Sequence, residues 1–218
     1  MHPILYLETH MMIPILQFGY SLTGNYGWSI ILLTLILKLL LFPLTIKQTQ
    51  SMAGMKTLQP LIKELQERYK DNPQMLQVKM MELYKEHKIN PLSGCLPTLI
   101  QLPFFIAIFV TLSSEHFKAL VVTAGVKANS FFWIHSLAKP DALMILPALV
   151  ALSTYYSQKT MSPATGKDDP MMKMFTFMPV MMFFIAMSMP CGVLLYWAVS
   201  QFVTAGQQML LLKVSKKS

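Results

Sequence analysis

The chain is poor in charged residues, which make up 13% of its 218 residues, while hydrophobic residues make up 54%. A soluble domain usually carries about 25% charged residues. The charges are also unevenly placed, because they leave several long segments with none. This combination excludes an ordinary soluble domain and predicts an integral membrane protein made of α-helices.

Cysteine is scarce, and Cys95 and Cys191 fall in different hydrophobic segments without metal-binding or CxxC spacing. The five histidines are scattered, and no P-loop, HExxH or GxSxG motif occurs. We therefore predict no disulfide framework, no metal site, no cofactor and no nucleotide hydrolysis, in a protein that is not an enzyme. The net charge of +8 is interpreted as membrane topology and contact with lipid or ribosome, not as sequence-specific binding of nucleic acid.

Uncharged segments predict five membrane spans, because about 20 helical residues cross the bilayer core. The 39 uncharged residues between Lys173 and Lys213 would form a helix of about 58 Å, which suits two spans divided at Pro190. The predicted spans are residues 25–46, 92–113, 141–158, 174–189 and 191–212. Residues 1–24 are predicted to form an interfacial segment, with a sixth span as the alternative.

The basic residues predict the orientation of these spans. The segments 47–91, 159–173 and 213–218 carry eight, three and three of them, which together are 14 of the 18 in the chain. Five spans place all three segments on one side of the membrane. The positive-inside rule therefore puts them in the cytoplasm or its equivalent, with the N-terminus outside and the C-terminus inside. The loop 114–140 is predicted on the opposite, extracytoplasmic side.

Residues 47–91 are predicted to form a cytoplasmic helical hairpin. Its helices are expected over about 51–70 and 74–87, where apolar residues recur three and four apart. Pro60 is predicted to kink the first helix, and the turn from Asp71 to Pro73 to separate the two. The apolar seam is assigned to Met52, Met55, Leu58, Ile62 and Leu65 in the first helix and to Met75, Val78, Met81 (or Met80) and Leu83 in the second.

Lys38 lies near the middle of the first predicted span. A charge that faces lipid there costs roughly 3 to more than 10 kcal/mol, so such residues usually face a bundle interior or a water-filled cavity. Apart from Asp141, at the very edge of the third, the predicted spans contain no acidic residue that could pair with Lys38. We therefore expect a hydrated groove, open to one side, in which Lys38 attracts acidic ligands. The alternative is that Lys38 extends toward the cytoplasmic headgroups.

Other polar side chains are expected to line this groove. Thr34 lies on the same helical face as Lys38, four residues before it. The second and fifth spans contribute polar and aromatic residues, namely Gln101, Tyr196, Trp197, Ser200, Gln201 and Thr204.

Several runs of the sequence resemble the YidC family of membrane protein insertases, which has mitochondrial and chloroplast relatives. The resemblance extends from about residue 27 to residue 208. The matching runs include Gln50-Ser51-Met52, Asn90-Pro91-Leu92, Gly94-Cys95-Leu96-Pro97, Phe177-Met178-Pro179 and Leu195-Tyr196.

The resemblance implies a five-helix core with a polar groove that is open to cytoplasm and lipid and closed on the far side. Lys38 occupies the place of a basic residue that is usually arginine, and Thr34, Tyr196 and Trp197 match groove-lining positions. Whether the chain is the core of a longer protein stays open.

The resemblance also implies an insertase and chaperone that works as a monomer on nascent membrane proteins. Its expected partners are the lipid bilayer, the ribosome and the Sec translocon. Its expected location is a bacterial inner membrane, or a thylakoid or organelle inner membrane. The rival interpretations are a small-solute transporter and an assembly scaffold that translocates nothing.

Overall fold

The computed structural model of the chain describes residues 8–87, 96–161 and 170–215. These residues are all-helical apart from turns and one isolated antiparallel bridge between Phe131 and Ile134, which confirms the predicted all-α class. After a π-helical turn at Glu8–Met12, the described helices are α1 Ile13–Thr23, α2 Tyr26–Leu40, α3 Phe42–Thr57, α4 Gln59–Arg68, α5 Pro73–Glu86, α6 Leu96–Ser113, α7 Glu115–Thr123, α8 Val126–Asn129, α9 Ile145–Met161, α10 Pro170–Met187 and α11 Cys191–Ser215.

Length and hydropathy identify one candidate membrane span among the described helices, and it is bent. No single helix among them is both long and apolar enough to be a candidate membrane span, but Gln101–Ser113 of α6 meets the requirement together with α7, across a bend of 53°. Shorter apolar helices cover Tyr26–Leu40, Ile145–Tyr156 and Phe177–Met187.

Two prolines divide what the sequence pattern predicts as longer helices. The first predicted span is interrupted at Leu41, between α2 and α3, because Pro43 lacks an N–H and its ring crowds the carbonyl of Leu39. The predicted helix over 51–70 is likewise interrupted at Leu58, and Pro60 stands in the first turn of α4. Proline is well tolerated there, because the first N–H groups of a helix have no intrahelical partner.

The predicted extracytoplasmic loop 114–140 is more ordered than a loop, since it contains α7 and α8. Ser114 caps α7 by accepting a hydrogen bond from the Phe117 amide at 3.2 Å. Phe117 and Val121, four residues apart, are buried on one face of α7. The capping serine and the apolar spacing both favour a helix here, whereas the prediction of a loop rested on the charges of the segment.

The N-terminal segment, predicted to be interfacial, packs against the bundle. The π-helical turn contacts α6, and α1 packs along α2. Met12 and Leu16 are fully buried in the main core. The segment therefore closes one side of the bundle.

The main core lies at one end of the bundle. Both α2 and α11 begin at this end and α6 ends there, so buried residues collect in those parts of each helix. In α11 every residue from Cys191 to Tyr196 is buried, whereas none of residues 201–211 is. Among the described side chains of α11, burial is thus concentrated in the first two turns.

The helix α11 connects most of the bundle. It packs against α2, α3, α6 and α9, while α10 packs on the outside of α9. Hydrogen bonds from the amides of Cys191 and Gly192 to the carbonyls of Lys139 and Leu137, both 2.8 Å, fasten its first turn to the loop before α9. These bonds satisfy amides that a helix N-terminus otherwise leaves without partners.

The helices α4 and α5 form a hairpin with a small core of its own, made of Leu58, Ile62 and Tyr84. Burial raises the pKa of the Tyr84 phenol. Asn72 caps α5 by accepting a hydrogen bond from the Met75 amide at 3.0 Å, Pro73 is its first residue, and Asp71 is exposed in the turn.

The predicted seam of the second hairpin helix is partly wrong. Met80, Leu83 and Tyr84 face the first helix. Met75, Val78 and Met81 are exposed instead. The side chains of Met52 and Met55 lie outside the described residues. With apolar residues on two faces of α5, spacing alone could not identify the face that packs.

Candidate functional site: a lysine-centred polar cluster

Lys38 is half-buried in the last turn of α2 and lies between two other helices. Its ammonium donates hydrogen bonds to Oε1 of Gln101 on α6, at 3.2 Å, and to Oγ1 of Thr204 on α11, at 2.9 Å. Residues that are far apart in the sequence thus meet at one nitrogen.

The acceptors of Lys38 are held in turn by their own partners. Gln101 donates through Nε2 to the Tyr196 hydroxyl, so both ends of its amide are used and its orientation is fixed. Thr204 donates to the Ser200 carbonyl at 2.8 Å, which leaves its oxygen free to accept from Lys38. Ser200 is also a hydrogen-bond partner of Tyr196. We call Lys38, Gln101, Tyr196, Ser200 and Thr204 the lysine cluster.

The positive charge of Lys38 is left uncompensated by the cluster. Both acceptors are neutral, and within the described residues Lys38 has no ion pair; the recorded pairs are Lys79–Glu82 and Lys118–Glu115. The carbonyl end of α2 offers a partial negative charge worth about 0.3–1 kcal/mol. An ammonium has three hydrogens to donate, and the protein uses two of them. One donor and most of the charge remain available to a ligand.

The structure brings together most, but not all, of the predicted groove residues. Trp197 borders the cluster on α11 and packs edge-on against Phe105, with ring centroids 4.8 Å apart. Gln201 is half-buried on the same helix. Thr34 does not join the cluster, because it is fully buried in the core and donates to the Ile30 carbonyl at 2.7 Å.

Gln207 is a further polar residue of this end that the candidate set omits. It follows Thr204 by about one helical turn, and its Oε1 is buried with no hydrogen-bond partner among the described residues. Thr154 Oγ1 on α9 is likewise buried without a hydrogen-bond partner among the described residues. Buried polar atoms of this kind are usually satisfied by water. The spacing of Gln207 along the polar face of α11 was a signal that could have included it.

Metal binding has no candidate in the described part of the chain, where no three His, Cys, Asp or Glu side chains are grouped to hold an ion.

The opposite end of the same helices is sealed. Gly27, in the first turn of α2, lies directly under the Phe131 ring, and Gly192 lies against Ile30, Leu112 and the Leu137 carbonyl. A Cβ at Gly27 would overlap the Phe131 ring, and a Cβ at Gly192 would make tight contacts of 3.2 Å with Ile30 and the Leu137 carbonyl. The interior is therefore closed beside the main core and polar beside Lys38.

An all-helical bundle that is sealed at one end and holds an uncompensated lysine at the other defines a class of α-helical membrane proteins with a polar interior. The chain belongs to the 60Kd inner membrane protein family, whose sequence profile matches residues 18–218. It is accordingly an integral protein of the inner membrane, as predicted.

Known relatives agree with this assignment. The chain is 46% identical over 194 residues to proteins named membrane protein insertase YidC from Francisella tularensis subsp. novicida (strain U112) and subsp. tularensis (strain SCHU S4 / Schu 4). These alignments cover 88% of this chain and 33% of each relative, so the chain spans about one third of their length. The predicted resemblance to the YidC family is thus confirmed.

A solved structure agrees as well. The active YidC insertase crystal structure with the first transmembrane domain resolved superposes with a TM-score of 0.73 at 28% identity. The match covers 92% of this chain and 45% of the other.

Proposed function

We propose that this protein is a membrane protein insertase and chaperone that passes polar segments of nascent membrane proteins through a hydrated groove centred on Lys38. It hydrolyses no nucleotide and forms no covalent intermediate. The observation that carries the proposal is the half-buried ammonium of Lys38, which only neutral oxygens contact among the described residues.

The charge of Lys38 is suited to recruit acidic segments. Two opposite unit charges 4 Å apart attract by about 1 kcal/mol in bulk water and about 4 kcal/mol at the effective dielectric constant of a partly buried site. The third ammonium hydrogen supplies a directional contact to a carboxylate oxygen. The attraction to Lys38 therefore offsets part of the hydration free energy that a short acidic segment loses on leaving bulk water.

The surface beside Lys38 offers the following apolar segment a route into lipid. Leu39 and Leu40 on α2 and Phe202 on α11 are among the most exposed large apolar side chains of these helices. A hydrophobic segment that moves across them leaves water for lipid, and this transfer is the driving force for release. The polar cluster and the exposed apolar surface thus serve the two halves of one substrate.

The topology that this mechanism requires is the one the basic residues predict: five spans, with the N-terminus outside, the C-terminus inside and the α4–α5 hairpin in the cytoplasm. We further propose that the protein works as a monomer in a bacterial inner membrane, and that its cytoplasmic segments contact the ribosome and the Sec translocon.

The decisive test is insertion of a single-span substrate with an acidic translocated segment into liposomes that contain the purified chain. Lys38→Arg should retain insertion, because it keeps the charge. Lys38→Ala should lose most of it, and Lys38→Glu should lose it entirely, because Glu repels the substrate. A matched substrate with a neutral translocated segment should depend much less on residue 38.

Equal insertion of both substrates by all four proteins would show that Lys38 recruits nothing. Absence of insertion even with the unaltered chain would favour an assembly scaffold or a solute transporter, and uptake of solute by the same liposomes would distinguish these two.

A further inference from the structure

The sealed end of the bundle carries large apolar side chains that the fold leaves uncovered. Val122, Val126 and Phe132 are 77%, 79% and 78% exposed, and we call these three residues the apolar rim. Trp28 lines one cleft with Phe132 and is 49% exposed. We propose that the apolar rim is a lipid anchor that holds the sealed end of the bundle in the headgroup region of the extracytoplasmic leaflet.

The backbone at Phe132 indicates that its ring serves a contact outside the chain. Phe131 and Ile134 exchange backbone hydrogen bonds of 2.9 and 2.8 Å, so Phe132 and Trp133 are the central residues of a two-residue hairpin turn. Phe132 has a φ of 51°, and glycine is the usual residue where the first central position has a positive φ. A bulky residue there is strained, and this ring gains almost no burial in return.

The turn is fixed to the start of α2, which sets its depth. Nδ2 of Asn25 donates to the carbonyls of Lys127 and Ser130, at 2.8 and 2.7 Å. The Phe131 ring contacts the rings of both Trp28 and Phe132. Its centroid lies 5.4 Å from that of Trp28 and 4.7 Å from that of Phe132. Because the first proposed span begins with α2, these rings lie where that span leaves the bilayer. Aromatic side chains concentrate at that level in membrane proteins.

The charges of the segment 115–141, at the sealed end, favour a lipid surface over a second copy of the chain. Glu115 pairs with Lys118 at 2.7 Å, and the Asp141 carboxylate accepts hydrogen bonds from the amides of Leu143, just before α9, and Leu146, in its first turn. Within the described residues, Lys127 and Lys139 therefore keep exposed charges with no ion pair. Phosphate headgroups complement exposed lysines beside apolar side chains, whereas a second copy would bring like charges together.

The proposal rests on the membrane topology proposed above, and its test measures the depth of residue 132. Trp28, Trp133 and Trp197 are replaced by Phe, and Phe132→Trp is added as the single tryptophan. The protein is placed in vesicles of phosphatidylcholine and phosphatidylglycerol that carry bromine near the headgroup end of the acyl chains. We expect strong quenching by these lipids and weak quenching by aqueous iodide.

His135→Trp in the same background is the matched control, because His135 is exposed and polar and lies just beyond the turn. For a tryptophan at position 135 we expect strong quenching by aqueous iodide and weak quenching by the brominated lipids. Equal iodide quenching at positions 132 and 135 would overturn the proposal, and so would a tryptophan at 132 that neither lipid bromine nor iodide reaches, since that would indicate a protein contact.

Two additions keep the result decisive. If the background lacks the circular dichroism of the unaltered chain, Phe132→Cys with Cys95→Ser and a polarity-sensitive thiol label replaces it, since Cys191 is buried. Insertion is measured separately with the unaltered chain in the same vesicles. Lipid quenching without insertion would overturn the insertase function alone, and insertion without lipid quenching would overturn the anchor alone.

Discussion

Lys38 could be identified from the sequence because a single charge in a long apolar segment has few explanations. Its surroundings could be predicted only in part. Helical spacing placed Thr34 on the same face as Lys38, but the structure turns Thr34 toward the core and brings Gln101 and Thr204 to the ammonium instead. Spacing within one helix fixes a face, whereas contacts between helices depend on how each helix is rotated against its neighbours.

Thr204→Val tests whether the hydroxyl positions Lys38. The substitution keeps the shape of the side chain but removes an acceptor from a charged donor. We expect the free energy of unfolding in detergent to fall by about 1 kcal/mol, because water replaces part of the lost bond in a half-open site. Insertion of the acidic substrate should fall with it, and insertion of the neutral substrate should not.

Thr111→Val is the matched control, because Thr111 is buried in α6 and donates only to the Ala107 carbonyl of its own helix, at 2.7 Å. If Thr111→Val lowered insertion of the acidic substrate as much as Thr204→Val does, the loss would come from packing and not from Lys38.

At the scale of the helices, the sequence pattern located the apolar segments but not their interruptions. The break at Leu41 is caused by Pro43, which the span assignment treated as an ordinary apolar residue. Conversely, the segment that forms α7 was predicted as a loop, although serine, here Ser114, is a common helix-capping residue. Counting uncharged residues measures how well a segment suits lipid, and it carries no information about where the helical hydrogen bonds stop.

The close approach of α2 to the turn at Phe131 gives a prediction for Gly27. A Cβ added at Gly27 would overlap the Phe131 ring. We expect Gly27→Ala to lower the free energy of unfolding by roughly 1–3 kcal/mol, the usual effect of overpacking. Thermal unfolding in detergent, followed by circular dichroism, measures the loss.

Gly206→Ala is the control within α11, where nothing lies within 4 Å of the added Cβ. Alanine there should raise the free energy of unfolding by about 0.5–1 kcal/mol, because glycine is a poor helix former. A destabilisation equal to that of Gly27→Ala would mean that steric overlap at Phe131 is not the cause.

For the whole molecule, composition predicted the class and the matching runs predicted the family. The off-centre position of the core could not be predicted, because apolar residues occur along the full length of each helix. In a membrane protein an apolar side chain can face either lipid or protein, and hydrophobicity does not separate the two. The buried run from Cys191 to Tyr196 therefore became visible only with the packing of α11.

The separate core of the hairpin predicts that it unfolds independently of the bundle. Ile62 is fully buried among few partners, Leu58 and Tyr84 with Met80 and Leu83. We expect Ile62→Ala to abolish the protection of α4 and α5 amides against hydrogen exchange while amides of α6 and α11 stay protected. Mass spectrometry of the exchanged protein in detergent resolves these regions.

Leu112→Ala opens a cavity in the main core. It should lower the protection of α6 and α11 amides against hydrogen exchange and leave that of α4 and α5 unchanged. A uniform loss of protection across all helices in Ile62→Ala would show that the hairpin and the bundle unfold as one unit.

The concentration of buried residues at one end has a mechanical consequence. Helices clamped at one end behave as rods whose free ends sway, and the amplitude of the sway grows with distance from the clamp. The spacing between α2, α6 and α11 at Lys38 can then widen or narrow while the contacts around Leu112 and Leu194 stay intact. One rigid core would thus permit a passage of variable width, which the proposed insertion of segments of different shapes requires.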